Sequence, residues 1–578
     1  MKVHRIAPDL SVSAQIAPQD MGVAASRGFR AVVINRPDGE GDDQPSSSDL
    51  IEAAEANGLA VRYAPVVAGE VTDADVAAFA AVMRELPAPV LAFCRTGTRS
   101  ATLWALSQAG RLSTDAILAT TAEAGYDLSG LRPRLEARDK VVAGGAGPAA
   151  SHDVVIVGGG AAGVSTAASI LRRRPDADIA IVEPKTEHYY QPGWTLVGGG
   201  VFRREATSRK MATLMPKGAK WIRAACAAFE PERSEIVLED GERIGYRVLI
   251  VAPGLKLDWA GVDGLQETLG KNGVTSNYHF DIAPYTWELV SSLRGGRALF
   301  TQPPMPIKCA GAPQKAMYLA CDAWRRRGVL KDVETSFHNA GAALFGVADY
   351  VPALMTYVER YGIDLNFNEN LVAVDGPSKT ATFVRTADGE TETVTRAFDM
   401  LHVSPPQTAL DFVKASPLAN EAGWVAVDGE TLQHVRYGNV FGLGDGCSTP
   451  NAKTAAAVRK QAPVVAHNVV RALDGEAPNA VYNGYGSCPL TVERGKIVLA
   501  EFAYGGKLDP TFPTWLLDGR KATRAAWFLK EKMLPSIYFN QMLRGDETLA
   551  RPKILAHRPA PHEAQEAFDF KDDRSKAA

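Results

Sequence analysis

No run of 18 or more consecutive apolar residues occurs in this chain, so no segment reads as a membrane-spanning helix. Met1 to Asp20 alternates polar and apolar residues and lacks the apolar core of an export signal, so the cytoplasm is the expected compartment. An excess of charge of one sign is also missing. The 63 Lys and Arg against 66 Asp and Glu give a formal net charge of -3, too little positive charge to favour nucleic acid. Cysteine is scarce: Cys94, Cys226, Cys309, Cys321, Cys447 and Cys488 are all there are, and none pair in a CxxC spacing. That argues against a disulfide framework and a zinc site, so no metal is expected. Thiols in a chain without an export signal are either buried or chemically used. The 578 residues exceed the usual size of one domain, and the composition is that of ordinary globular protein.

The strongest pattern that is present is DVVIVGGGAAG, Asp153 to Gly163. An apolar strand, Val154–Val157, runs into glycines, and a helical segment follows over Val164–Arg174. Gly158, Gly160 and Gly163 have the dinucleotide-binding spacing. Glycines there allow a tight turn, close approach of backbone to pyrophosphate, and close helix–strand packing. The helix start, Ala161-Ala162-Gly163, offers free N–H groups to phosphate. A second strand, Ile179–Val182, ends at Glu183, about 20 residues on, where a carboxylate takes a ribose hydroxyl.

Residues 1–140 read as a small α/β domain. Strands are expected at Ala31–Asn35, Val61–Val66 and Val90–Phe93. Helices are expected at Ser48–Asn57, Asp73–Glu85 and Ser100–Ala109, with Thr72 or Asp73 as an N-cap. The third strand ends at Cys94, followed by RTGTRS and a helix. Loop N–H groups and a helix start form an anion nest that favours thiolate. Arg95 and Arg99 add positive charge, and Gly97 permits the curvature. The tyrosine-phosphatase loop has five residues between cysteine and arginine; here Cys94 and Arg99 enclose four. The shorter loop is similar to that of rhodanese-type sulfurtransferases. With SVSAQIAP, INRPDGE and FCRTGTRSA, the segment resembles a bacterial family of sulfurtransferase-like domains related to the phosphatase fold. That resemblance implies a persulfide carrier at Cys94, with Arg99 in the catalytic loop. Phosphate-ester hydrolysis and a pure binding role stay open.

Residues 141–151, VVAGGAGPAAS, have linker composition. Residues 152–510 read as an α/β flavoprotein of two Rossmann-type domains. HYYQPGWTLVGGG, His188 to Gly200, suits either a segment beside a planar ring or an aromatic core turn. Val248–Val251 leads into Ala252-Pro253-Gly254. NVFGLGD places Asp445 at a strand end, and Lys453 and Thr454 open an alanine-rich helix. Together these imply FAD. A second glycine fingerprint is absent. The strand Arg297–Thr301 runs instead into QPPMPIKCAGAPQKAMYLACDAW, where prolines and Cys309 precede a helix over Gln314–Arg326. The electron donor is therefore not expected to be NAD(P)H, and a cysteine in that place suggests sulfur.

HYYQPGWTLVGGG, IKCAGAPQKAMYLA, LHVSPPQ, ETLQH, NVFGLGD, KTAAAV, GYGSCPL and NQMLRG, spread over about 152 to 550, resemble sulfide:quinone oxidoreductases, in the branch that includes the mitochondrial enzyme. The resemblance implies a redox pair at Cys309 and Cys488. It implies FAD contacts at Gly158–Gly163, Glu183, Gln191, Asp445 and Lys453-Thr454-Ala455. Cys226 would contact FAD mainly through its backbone; Cys321 and Cys447 would have no redox role. Sulfide would attack Cys488, Cys309 would leave as thiolate, and two electrons would pass through FAD to a membrane quinone. The sulfane sulfur would go to glutathione, sulfite or sulfide, and Cys94 would handle it. The alternative of the same fold is an NADH:quinone oxidoreductase.

Residues 511–556 interleave Trp515, Leu516, Trp527, Phe528, Tyr538 and Phe539 with Arg520, Lys521, Arg524, Lys530 and Lys532. That pattern suits amphipathic helices on a membrane surface, and with the missing export signal it implies peripheral attachment on the cytoplasmic side of an inner membrane. An amphipathic core or dimer helix is the other reading, so a homodimer stays open. The polar tail, 557–578, is expected to be disordered.

Overall fold

Alternating side chains place the central strands of the N-terminal sheet between two apolar layers. On Val90–Phe93 and Ala31–Ile34, Val90, Ala92, Ala31 and Val33 face one core, and Leu91, Phe93, Val32 and Ile34 the other. The computed structural model describes residues 1–7, 9–41, 44–67, 69, 71–109, 112–136, 148–387, 389–450 and 452–556. The chain divides into Met1–Gly147 and Pro148–Ala578.

In the first unit five strands lie in the order Val3–Ala7, Leu10–Ser13, Val90–Phe93, Ala31–Ile34, Ala60–Tyr63. All neighbours are parallel except the first pair. Helix Asp73–Glu85 starts at a capping box in which Thr72 and Asp75 exchange hydrogen bonds. Gly97, at φ 90°, caps helix Thr98–Gln108 immediately after Cys94.

The second unit holds two large sheets, an antiparallel meander of Glu369–Asp375, Thr380–Ala387 and Glu390–Ala397 beside the second, and several two-stranded ribbons. The first has Ala150–Val157 at its centre, between Ile179–Val182 and Arg243–Val251, all parallel. Val440–Gly442 joins the far side of Arg243–Val251. Helix Ala161–Arg173 follows the central strand, and helix Ala455–Leu473 packs against it. The second sheet is parallel, in the order Val274–Thr275, Met400–His402, Gly296–Gln302, Val333–Asn339, Asp364–Phe367. A hairpin, Gly486–Glu493 with Lys496–Phe502, packs on helix Ala312–Arg326 and carries Cys488. Of the expected linker, residues 141–147 lie outside the described residues. Ala150 and Ser151 are already strand, paired with Ile244 and Gly245, because small side chains fit that close pairing. The expected disordered tail also lies outside the described residues.

The segment 511–556 differs from a purely interfacial one. From Arg524 to Arg544 it winds through α, π and 3-10 turns. Tyr538, Phe539, Met542 and Leu543 join the core beneath the first sheet, and Trp527 packs with Leu196, Leu319 and Leu499. His188 meets the Tyr538 hydroxyl at 2.8 Å. Lys530, expected among the surface cations, is 3% exposed. It shares the inward side of the run with Trp527, while Phe528 and Met533 point out. Trp515 and Leu516 are exposed. Among the described residues no helix is long and apolar enough to cross a membrane.

Candidate active site

Cys309 and Cys488 lie 179 residues apart in the chain, and their sulfurs are 3.6 Å apart. Two local features produce this. The strand Gly296–Gln302 feeds a proline-rich turn that ends at Cys309, in the left-handed region at φ 50°. Its N–H donates to the Lys453 carbonyl and its carbonyl accepts from Ala312 N at the helix start. Cys488 comes from the hairpin opposite, and Gly311 leaves room for its sulfur. The start of the second sheet's helix is thus filled by Cys488 and Leu490, where a nucleotide phosphate would need open backbone.

The pair is electrostatically unequal. Lys315, 2% exposed, donates to the Cys309 sulfur at 3.0 Å. The Cys309 thiol is held well below its usual range, first by the hydrogen bond from Cys488 and then, against burial, by Lys315 and Lys530. Cys488 is pushed well above it by that same bond, by burial and by the Cys309 charge. Cys309 is therefore the thiolate and Cys488 the S–H donor. Burial depresses the Lys308 amine to about 8; it donates to Gln191 and lies near the rings of Trp194 and Tyr278.

Lys308 also faces Asp445, whose neighbour Gly444 packs on Ala162 at the first sheet's glycine turn. Gly158 adopts φ 106°, and a side chain there would strike the Ala252 carbonyl. A Cβ on Gly163 would collide with the Gly158 carbonyl. A Cβ on Gly160 would meet nothing within 4 Å, and no side chain caps the helix that starts at Ala161 and Ala162. Glu183 accepts from the N–H groups of Gly159 and Lys185, at 2.8 and 2.9 Å. Asp445 is pushed up by burial against the pull of Lys453 and Lys308. The Lys453 amine donates to the carbonyls of Asp445 and Cys447. Thr454 caps helix Ala455–Leu473. Open backbone at a helix start beside strand-end carboxylates fits a dinucleotide-type cofactor.

The remaining cysteines are enclosed. Cys226 opens the strand Cys226–Glu230 and donates to the Ala228 carbonyl, and burial pushes its thiol up. Cys321 is core, pushed up to about 12 by burial. Cys447 donates to the Gly444 carbonyl at 3.1 Å.

In the first unit, Cys94 is buried and accepts the Gly97 N–H at 3.2 Å. Arg99 is turned to the Val66 carbonyl at 2.6 Å and Glu40 at 2.7 Å, and Arg36 shares that carboxylate. The Arg99 hydrogen bond, with that of Arg36, holds Glu40 below the usual carboxylate range in spite of burial. Two of the Arg99 nitrogens are thus already bonded, and Arg95 is the exposed cation of the loop.

Residues 152–283 match the pyridine nucleotide-disulphide oxidoreductase family, which places the second unit among flavin-dependent oxidoreductases with two Rossmann-type domains. Residues 2–111 match the phosphatase-like domain of beta-lactamase hydrolase-like proteins. The chain is 44% identical over 370 residues to the mitochondrial sulfide:quinone oxidoreductase of Dictyostelium discoideum, covering 64% of this chain and 80% of that protein. It is 39% identical over 382 residues to the Mus musculus enzyme of the same name, covering 66% and 84%. The solved sulfide:quinone oxidoreductase of Aquifex aeolicus shares the fold, with a TM-score of 0.57 at 20% identity over 72% of this chain and 99% of that one. The chain belongs to the sulfide:quinone oxidoreductase family and carries a phosphatase-like domain ahead of it.

Sequence reasoning missed Lys315 and the inward turn of Lys530. Lys315 stood six residues after Cys309, at a spacing that a helix start can turn back toward the thiol.

Proposed function

We propose that this protein oxidises sulfide at the Cys309–Cys488 pair and passes two electrons through FAD to a membrane quinone. The observation that carries this reading is the 3.6 Å contact of the two sulfurs with the Lys315 amine on one of them. Gly158, Gly160, Ala161, Ala162, Gly163, Glu183, Gln191, Asp445, Lys453, Thr454 and Ala455 would hold FAD, with Cys226 beside it. Bound FAD would supply the two-electron acceptor between the thiols and the quinone.

The cycle starts from the oxidised pair. Hydrosulfide attacks the Cys488 sulfur; that S–S bond forms as the Cys309–Cys488 bond breaks, and Cys309 leaves as thiolate. A low-pKa thiol leaves fastest, and Lys315 makes Cys309 that thiol. Cys488 then bears the persulfide. A small nucleophile such as glutathione, sulfite or sulfide takes the outer sulfur, and Cys488 is released as thiolate. Closing the Cys309–Cys488 bond again yields two electrons.

Cys94 would act as a sulfur carrier for the same product. Cys94 would take the outer sulfur from the persulfide formed on the small acceptor, the acceptor's thiol leaving, and would hold it as a persulfide, aided by the Gly97 N–H. A tether raises the effective concentration of this transfer. A second reading of this domain, hydrolysis of a phosphate ester at Cys94, is favoured by the description of the matched family as phosphatase-like. Exposed Trp515, Leu516, Phe528 and Met533, with Lys521, Arg524 and Lys532 nearby, support docking on a membrane surface, where a quinone is reached; the cytoplasmic face of an inner membrane is the side proposed.

Anaerobic titration with sulfide tests the reading. Sulfide should bleach the flavin, and a soluble quinone should restore it. Bleaching by NADH and not by sulfide would overturn it. For the first unit, thiosulfate:cyanide transfer is compared with aryl-phosphate hydrolysis, before and after Cys94→Ser.

A further inference from the structure

Lys530 is a buried amine for which no carboxylate partner is found among the described residues. Its amine donates to the Pro192 carbonyl at 2.9 Å. Among the described residues no carboxylate forms an ion pair with it. The adjacent Glu531 turns instead to the Trp527 indole N–H, at 2.6 Å, and to Lys532, at 2.9 Å. Burial lowers such an amine, which therefore takes up its charge most readily when an anion enters beside it. Trp527 and Leu529, just before Lys530 in the chain, pack with Leu319 of helix Ala312–Arg326, one turn beyond Lys315. The charged groups that act on Lys530 are Lys315 and the two thiols, Cys309 from the turn before that helix and Cys488 from the hairpin. Lys315 already matches the Cys309 thiolate. Lys530 has no such match among the described residues.

We propose that Lys530 is the second cation of the cysteine-pair site, a positioning residue that draws hydrosulfide anion, in preference to neutral hydrogen sulfide, toward Cys488 and steadies the Cys309 thiolate as it leaves. This rests on Cys309 and Cys488 being the reacting pair. With the pair oxidised, neither lysine faces a thiolate, and an incoming HS⁻ supplies the anion beside which both hold a proton. Its sulfur bonds to Cys488, the Cys309–Cys488 bond breaks, and the displaced electron pair stays on Cys309 between Lys315 and Lys530. The S–H proton remains on the new persulfide. The cation that completes the pocket is thus delivered by the C-terminal run, whose opposite side carries the exposed Phe528 and Met533.

The test compares wild type, Lys530→Gln and Lys530→Arg in the full-length flavoprotein. One readout is the pH profile of iodoacetamide alkylation of Cys309 in the reduced protein, followed by peptide mass. The other is sulfide-dependent flavin bleaching. Lys530→Gln, which keeps a donor for Pro192 but no charge, should move the Cys309 titration up by about one pH unit, a tenfold change in thiolate fraction. It should raise the sulfide concentration for half-maximal bleaching about tenfold, as a tenfold loss of binding would. Below about pH 7 Lys530→Arg should stay near wild type in both. Wild type should also show a second inflection near pH 7, where Lys530, its amine depressed by burial and by Lys315, loses its charge. That inflection should vanish in Lys530→Arg, so the idea remains open to refutation if the glutamine variant does not fold. A glutamine variant equal to wild type, or glutamine and arginine variants equally impaired, would overturn the charge role. If sulfide fails to bleach wild type, the reading of the reaction falls, while the alkylation profiles still judge Lys530.

Discussion

A methyl group on Gly311 would stand 2.5 Å from the Cys488 sulfur. Gly311 is the N-cap of helix Ala312–Arg326, and Cys488 is held in mid-hairpin opposite Ala500. Neither backbone can yield cheaply. Gly311→Ala should therefore push the hairpin away from Cys309 and cost about 1–3 kcal/mol of stability, as overpacking does. A displacement of about 1 Å between reacting groups lowers rate on the order of 100-fold, so sulfide-dependent bleaching should fall on that scale. Non-reducing peptide mapping should show less Cys309–Cys488 disulfide. Unchanged disulfide yield would mean that the pair does not depend on this clearance.

Lys315 gives a sharper electrostatic prediction. Burial would depress its amine, but the charges of Cys309 and Cys488 and its bond to Cys309 outweigh burial and raise it. The thiol moves in the opposite direction. Because the folded Cys309 is lowered, its thiolate persists below the ordinary thiol range and is lost only as pH falls through the folded value. Lys315→Met should move that loss to higher pH, and alkylation of Cys309 near neutrality should slow about tenfold for each pH unit that the titration rises. Lys315→Arg should recover part of the rate. An alkylation profile unmoved by the methionine would remove Lys315 from the site.

The glycine turn and the Cys94 loop were legible because their chemistry is local: a strand, a turn and a helix start within a dozen residues. The pairing of Cys309 with Cys488 was legible only through resemblance, since nothing in a separation of 179 residues brings two thiols together. Lys530 was misread for a definite reason. The segment was read from its mixture of aromatics and cations, whereas Lys530, three residues after buried Trp527 and four after buried Ala526, falls on the helix face that they bury. In the first unit the spacing of Arg99 from Cys94 was legible, while its contact with Glu40, 59 residues away, depends on the folded sheet and was not.

Gly160 separates cofactor binding from folding. Its φ of −71° suits any residue, and an added Cβ meets no protein atom within 4 Å. Gly160→Ala should leave the unfolding midpoint of the flavin-free protein within about 0.5 kcal/mol of wild type, as for a surface change. The same methyl would stand where a pyrophosphate approaches the helix start. Flavin content per chain, read from absorbance after gel filtration, should drop. Full flavin retention would place the cofactor's phosphates elsewhere.

The second sheet is tied to its neighbouring meander by a buried charge cluster that sets an acid limit on stability. Glu369 on the strand Glu369–Asp375 is 1% exposed. It accepts from both Arg396 Nε, at 2.8 Å, and Arg396 Nη2, at 3.0 Å, and meets His338 Nδ1 at 2.9 Å. His338 in turn contacts Ser336. Burial pushes the Glu369 carboxyl up, but the bonds from His338 and Arg396 prevail and hold it down to about 2. A lowered folded value means stability that is fully present above the unfolded value of about 4.3 and is lost as pH falls through about 2. Glu369→Gln removes the charge and turns an amide N–H toward groups that are themselves donors. It should cost about 3 kcal/mol at neutral pH, the scale of breaking a buried pair. It should also flatten the decline in unfolding free energy between about pH 4.3 and pH 2. Denaturant unfolding at several pH values, followed by flavin fluorescence and by circular dichroism, measures both effects. A glutamine variant with the wild-type acid slope would assign that slope to other carboxylates.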